Sequence, residues 1–301
     1  MLKITELNKT YQRDGKVALQ DINLSVKHGE FTALLGQNGA GKTTLINILG
    51  GNVKKTSGKV SIGGFDLDKN ELDTKKMIGI VPQESGYDFV FTVDEVLKKQ
   101  MGYFGLRYDK NYIDELLESL SLVEKRTSTI RELSGGMKKR IFIAKALVHR
   151  PKILILDEPT AGVDIEMRQS MYEFLKKLHK EGTTIILTTH YIEEAEKLCS
   201  RIIVINQGII LADEPKNELM NKFSKEVKIT LYFDQKIKQV DIVFLARYSP
   251  RIEHVTELVL KVPQNELAQV LHMIVSNNMH FIDINIQKDK LEDVYLHLIS
   301  K

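Results

Sequence analysis

The stretch Gly36-Gln37-Asn38-Gly39-Ala40-Gly41-Lys42-Thr43-Thr44 constrains this chain more than any other. It follows the apolar run Phe31-Thr32-Ala33-Leu34-Leu35 and precedes the helix-like Leu45-Ile46-Asn47-Ile48-Leu49, so the order is strand, glycine-rich loop, helix. Glycines at 36, 39 and 41 remove the Cβ atoms that would hold the backbone away from a polyphosphate. The helix start turns unpaired N–H groups and a partial positive charge toward the same place. Lys42 is then placed to reach the β- and γ-phosphates, and the Thr43 hydroxyl to coordinate Mg²⁺. Taken alone, such a loop specifies a nucleoside triphosphate and nothing finer.

The rest of the chain narrows the setting. Its 301 residues suffice for two domains, and 43% hydrophobic with 28% charged residues is ordinary for a globular protein. Lys plus Arg number 43 against 40 Asp plus Glu, a net +3, so no strong field recruits nucleic acid or anionic lipid, and no nucleic-acid partner is expected. The single cysteine, Cys199, excludes an intrachain disulfide and a thiolate metal cluster, which fits a reducing cytosol. Apolar runs at 141–148, 185–187 and 202–211 are too short or too interrupted to span a bilayer, and Met1 to Glu6 shows no signal-peptide core. Any membrane role must therefore be borrowed from a partner.

Along the chain, residues 2–7 and 17–27 alternate as half-buried strands, and Tyr11 between them could stack on an adenine or fill a turn. Residues 57–64 read as turn, strand, turn, and Met77–Val81 as a buried strand ending at Pro82-Gln83. Gln83 could meet Mg²⁺ or an attacking water; without other motifs it reads as a loop residue. From 84 to about 150 the strand-like runs disappear and helical spacing takes over, as in Ile113, Leu116, Leu117 and Leu120, which suggests a helical insertion between strands of a parallel sheet. Its last element opens with Leu133-Ser134-Gly135-Gly136-Met137 ahead of a helix over 138–148. Ser134 as N-cap with two bare glycines suits either an anion or an ordinary capped surface helix.

Ile153–Leu156 is a buried-strand run that closes on Asp157-Glu158, and in an open parallel sheet ligands sit at that edge. Asp157 suits an Mg²⁺ shell and Glu158 the polarisation of water, although paired acids after strands also cap helices. A helix is expected over 164–179 with Met171, Phe174, Leu175 and Leu178 inward, then a strand, 184–189, ending at His190, which could hold a γ-phosphate and the water in line. Residues 201–205 and 209–211, split by Asn206-Gln207-Gly208, form a hairpin that closes this domain. Past Pro215 the pattern restarts: strands at 227–233, 258–262 and 281–286, a helical stripe at 265–276 and an amphipathic helix over 291–299 suggest a small α+β domain over 216–301.

Together the glycine loop, Gln83, Leu133 to Met137, Asp157-Glu158, Ala161-Gly162-Val163-Asp164 and His190 resemble, in type and order, an ATP-binding cassette (ABC) ATPase; the Leu-Ser-Gly-Gly element separates this family from other phosphate-loop proteins. The resemblance covers residues 1 to about 215. It implies an α/β P-loop NTPase, with a RecA-like parallel-sheet core, an antiparallel β subdomain and a helical subdomain at about 84–150. Met137, the run Thr189-His190-Tyr191-Ile192-Glu193-Glu194-Ala195-Glu196 and Leu291 to Leu296 resemble the separately encoded ATPase subunit of type-two ABC exporters, which include drug, antibiotic-peptide and polysaccharide efflux systems. Most ABC proteins carry glutamine where Met137 stands.

The resemblance further implies a homodimer, or a pair with another ABC subunit, in which ATP lies between the loop of one protomer and Ser134-Gly135-Gly136 of the other. Tyr11 stacks on adenine; Asn38, Gly39, Ala40, Gly41, Lys42, Thr43 and Thr44 hold phosphate; Thr43, Gln83 and Asp157 serve Mg²⁺. Lys42, Glu158 as general base and His190 carry hydrolysis, and Asp164 communicates across the interface. Residues 84–105 contact an integral membrane permease, which places the subunit at the cytoplasmic face of the membrane. Rival readings are a soluble ABC ATPase acting on nucleic acid or the ribosome, and a nucleotide kinase. One uninterrupted cassette without a basic stripe argues against the first, and the signature motif with no acceptor lid against the second.

Overall fold

In the computed structural model, which describes residues 1–12, 15–83, 90–223, 226–288 and 290–300, the chain separates into two units, Met1–Lys216 and Asn217–Lys301. The first opens with β1 (Leu2–Thr10), β2 (Val17–Val26), β3 (Phe31–Leu35), α1 (Lys42–Leu49), β4 (Ser57–Ile62), β5 (Phe65–Asp66), α2 (Glu71–Met77) and β6 (Ile78–Val81). It turns helical with α3 (Val93–Tyr103), α4 (Lys110–Ser119) and α5 (Gly135–Leu147). It closes with β7 (Ile153–Asp157), α6 (Ile165–Lys180), β8 (Thr184–Thr189), α7 (Ile192–Leu198), β9 (Arg201–Asn206) and β10 (Ile209–Pro215).

Alternation at the start of the chain produces an antiparallel sheet in the order β2-β1-β4-β5, in which Ile4 sits between Leu24 and Val60. Continuous apolar runs produce the other sheet, β10-β9-β3-β8-β7-β6, whose strands from β9 to β6 run parallel while β10 is antiparallel at one edge. β3, β7 and β8 are buried along their whole length, as strands covered on both faces must be. One apolar cluster joins Ile4, Leu24 and Val60 of the first sheet to Leu45 and Ile48 of α1 and to Ile155, Ile186 and Ile203 of the second. Parallel register sets Leu35 beside Thr189 and Asp157 beside Thr188, so the glycine loop and the acidic strand end emerge from one edge.

Residues 90–150 hold α3 to α5, each opened by a side-chain cap: Thr92 with Glu95, Asp109, and Ser134. The Arg126 guanidinium ties the first two together, bonding Asp94 at 2.8 Å, Tyr108 at 2.7 Å and Asp114. Several expected boundaries move, among them the strand expected over 281–286, which runs over Asp283–Lys288, and the helix expected from 265, which begins at Leu267. α5 begins at Gly135 rather than Lys138, because the Ser134 cap lets both glycines enter the first turn. Asp164 caps α6 instead of opening it, and Leu178 is only half-buried on that helix. Gln207 and Gly208, both at positive φ, make the primed turn that suits a twisted hairpin between β9 and β10.

α8 (Lys216–Phe223) spans the boundary between units. The second unit continues with β11 (Glu226–Tyr232), β12 (Arg251–Glu253), β13 (Glu257–Pro263), α9 (Leu267–Ser276), β14 (Asp283–Lys288) and α10 (Leu291–Ile299), in an antiparallel sheet ordered β12-β13-β11-β14. It has its own apolar core, including Ile229, Leu260, Val270 and Ile274. A 3₁₀ segment, Gln239–Tyr248, buries Ile242, Leu245 and Tyr248. Their spacing of three is the 3₁₀ repeat, which a search for helical or strand periods passes over. Among the described residues no helix is long and apolar enough to cross a membrane.

Candidate functional site

The glycine loop links β3 to α1 and takes conformations that only glycine adopts freely at two points, Gly39 (φ 84°) and Gly41 (φ 110°). A Cβ on Gly41 would lie 2.8 Å from the Ala18 carbonyl oxygen, and one on Gly36 would lie 2.5 Å from that of Ile205, so close approach fixes glycine there as well. Gly41 caps α1 without a side chain, and the first turn of that helix holds no acidic residue. Its leading N–H groups and positive pole therefore remain available to an anion. The β9–β10 hairpin supports the loop from behind, where the Gly208 amide donates to the Ala40 carbonyl at 2.9 Å.

A cavity of about 330 Å³ opens over this loop, lined by Tyr11, every residue from Asn38 to Thr44, Gln83, Asp157 and Glu158. Lys16 and Ala18, which sequence reasoning passed over, line it too. Lys42 is buried, and its ammonium donates to the carbonyls of Gly36 (2.6 Å) and Gln37 (3.1 Å). Burial lowers its pKa, opposed by the charges of Glu158 and Asp157. The Thr43 hydroxyl donates to Asp157 Oδ2 at 3.4 Å, and the Thr188 hydroxyl donates to Oδ1. Burial raises the Asp157 pKa; the Thr188 hydrogen bond works against it, Glu158 adds to it, and Lys42 and Thr43 oppose it.

Glu158 draws contacts from three separate parts of the chain. The Gln83 amide donates to its Oε2 at 2.8 Å, and His190 Nδ1 lies 2.9 Å from its Oε1. Lys139, from α5, donates to its backbone carbonyl at 3.1 Å. Glu158 itself holds a left-handed backbone (φ 50°) at the end of β7, which turns the chain sharply toward Thr160. The Tyr11 hydroxyl meets Thr44 Oγ1 at 3.4 Å, and Lys9 lies over the Tyr11 ring at 4.8 Å. A hydroxyl, an amide oxygen and a carboxylate at one edge are the hard oxygen donors that suit Mg²⁺. Among the described residues no group of three or more His, Cys, Asp or Glu forms a separate metal site.

Ser134, Gly135 and Gly136 do not line this cavity. Ser134 and Gly135 are exposed at the tip of α5, where Ser134 Oγ accepts from the Met137 amide at 3.3 Å. A Cβ on Gly136 would meet the Met167 sulfur, so this position is kept small by α6. Asp164 accepts from the Met167 amide at 2.9 Å. Of the segment 84–105, residues 84–89 lie outside the described residues; the remainder includes the exposed Val90, ahead of α3, and Tyr103, the last residue of that helix.

The sequence matches the model of the ABC transporter family over residues 19–161. It is 34% identical to the linearmycin resistance ATP-binding protein LnrL of Bacillus subtilis (strain 168), over 100% of this chain and 99% of that protein. It is 40% identical to the Nod factor export ATP-binding protein I of Burkholderia thailandensis, over 69% of this chain and 68% of that protein. Among solved structures it is similar, at 30% identity and a TM-score of 0.64, to the dimeric post-hydrolysis state of the ATP-binding cassette MJ0796 bound to ADP and Pi, covering 71% of this chain and 98% of that one.

Proposed function

Because this chain belongs to the ABC transporter family, as an ATP-binding subunit that hydrolyses ATP, we propose that two copies close around two ATP molecules and drive a separate membrane permease in the export direction. The observation that carries the hydrolytic part is Glu158, held between Gln83 and His190 at the mouth of the loop cavity.

In this reading the loop amides and the N-terminus of α1 receive the polyphosphate, and Lys42 exchanges the Gly36 and Gln37 carbonyls for the β- and γ-phosphate oxygens. Thr43, Gln83 and Asp157 would hold Mg²⁺, which would neutralise phosphate charge when bound. Glu158 takes a proton from the attacking water; the water oxygen bonds to the γ-phosphorus, the bond to the bridging oxygen breaks, and ADP leaves. His190 keeps the carboxylate and the γ-phosphate in line. Tyr11 stacks on the adenine. Each site is completed by Ser134 to Gly136 of the second copy, whose helix end faces the γ-phosphate, and Asp164 communicates across that interface.

The exposed apolar side chains of Val90 and Tyr103 support α3 and its approach as the contact with the permease, which would hold the subunit at the cytoplasmic face. Export is supported by the names of the resistance and Nod factor export relatives. Affinity purification of the full chain from membranes tests the partner: one integral membrane protein is expected to travel with it and to be lost when Val90 and Tyr103 are changed to aspartate. Recovery of ribosomes or nucleic acid instead would remove the transporter reading.

A further inference from the structure

Glu194 lies on α7, four residues beyond His190, yet it is 1% exposed and, with Ala195, is buried on that helix. A carboxyl in such a place needs hydrogen-bond partners. The hydroxyls of Thr160 and Tyr172 both donate to its Oε1, the second at 3.2 Å. Burial raises the pKa of this carboxyl, against the hydroxyls of Thr189 and Tyr172 and the charges of Arg168 and His190.

Thr160, itself 1% exposed, belongs to the turn that follows Glu158. In that turn the Ala161 amide donates to the Glu158 carbonyl at 3.3 Å, and the Val163 amide to the Thr160 carbonyl at 3.1 Å. The turn needs holding, because the left-handed region is disfavoured for a residue that carries a Cβ. Its near end is fixed by the Glu158 amide on the Thr188 carbonyl (3.0 Å) and by Lys139 on the Glu158 carbonyl (3.1 Å). The far end is fixed by Thr160 on Glu194. One short helix thus anchors the turn that aims Glu158 and follows directly on His190, to which Glu158 is joined.

We propose that Glu194 is a positioning residue for ATP hydrolysis: through the Thr160 hydroxyl it locks the left-handed turn that points Glu158 at His190, so both partners are set from one buried carboxyl. This rests on Glu158 acting as the general base. Steady-state hydrolysis of MgATP by the full chain tests it. Thr160→Val and Glu194→Ala are expected to lower kcat by roughly 10- to 100-fold while KM stays within about twofold, as for a misaimed base rather than a damaged nucleotide cradle. Glu194→Gln, which keeps the accepting oxygen, is expected to retain most of the activity. The Thr160→Val/Glu194→Ala double variant is expected to be no slower than the slower single variant.

Normal kcat in Thr160→Val, equal loss in Glu194→Gln and Glu194→Ala, or multiplicative losses in the double variant would each overturn the proposal. If Glu194→Ala does not fold, the near-isosteric Thr160→Val and Glu194→Gln decide the matter. Glu158→Gln, assayed alongside, separates the two layers. If it turns over normally, Glu158 is not the base; if it is inactive while Thr160→Val is normal, the tether alone is wrong.

Discussion

His190 Nδ1 lies 2.9 Å from Glu158 Oε1, with the histidine side chain 45% exposed and the glutamate 6%. The pair therefore runs from inside the cassette outward. The carboxylate is protected from bulk water on its own chain, whereas the imidazole reaches the face on which a second copy and a γ-phosphate would arrive. Such a contact sets the direction of the carboxylate before nucleotide is present.

Replacing Glu158 by glutamine keeps the shape of this contact and removes the proposed base. Glu158→Gln is expected to bind ATP and to dimerise in its presence, while turnover falls roughly 100- to 10,000-fold. Size-exclusion chromatography with light scattering and a phosphate-release assay check the two halves. Wild-type turnover would remove Glu158 from the mechanism.

Lys42 acts earlier. Because its ammonium lies over the loop and already bonds the Gly36 and Gln37 carbonyls, Lys42→Ala removes the charge from the phosphate position and loosens the loop. Equilibrium binding of a fluorescent ATP analogue is expected to weaken at least about tenfold, since each charge-assisted contact contributes roughly 1.5–3 kcal/mol. A variant that binds normally and only hydrolyses slowly would reassign the lysine to the chemical step.

Asp157 should oppose stability in the nucleotide-free chain at neutral pH. Its folded-state pKa is raised above the ordinary value of 3.8, chiefly by burial, so its contribution is most favourable below pH 3.8 and is lost as pH rises through the folded value. Asp157→Asn is therefore expected to unfold at a temperature higher by on the order of 2–4 °C at pH 7, with the gain shrinking toward pH 4. Calorimetry across that range checks the sign, and a gain that grows on acidification would contradict the assignment. The same variant should lose the stabilisation that Mg²⁺ with ATP gives the parent.

The exposed tip of α5 offers a substitution that one chain tolerates and two do not. Nothing lies within 4 Å of a Cβ placed on Gly135, so Gly135→Asp fits the fold, and an acid in the first turn suits the helix. Unfolding temperature and ATP binding are expected to stay near wild type. ATP-induced dimerisation and turnover are expected to disappear, because the new carboxylate would face the partner's phosphate. Full activity in this variant would place the signature helix outside the site.

The parts legible in the sequence are those whose chemistry is local. The loop from Gly36 to Thr44, the acidic end of β7 and His190 at the end of β8 each sit at the edge of a buried run, and the parallel register brings those edges together. Gln83 is legible only through the order of the motifs around it, and the contact of its amide with a carboxylate 75 positions away is not. Lys139 reaches the Glu158 carbonyl, and Thr160 reaches Glu194 across 34 positions, only because helices pack against the sheet; nothing in the spacing of these residues marks them as neighbours. One signal was present for Glu194. An acid beside Ala195 on the apolar side of a short helix must find hydroxyl partners or unfold the helix.

Lys42 and the Gly208 amide grip the same loop from opposite ends, one at the carbonyls that open it and the other at Ala40. The backbone entropy of shaping the receptor is thus met during folding rather than at each encounter with ATP. If Lys42 takes phosphate oxygens as proposed, the Gly36 and Gln37 carbonyls give its ammonium a set place to return to once spent phosphates depart, which leaves the energy of binding to act between protomers.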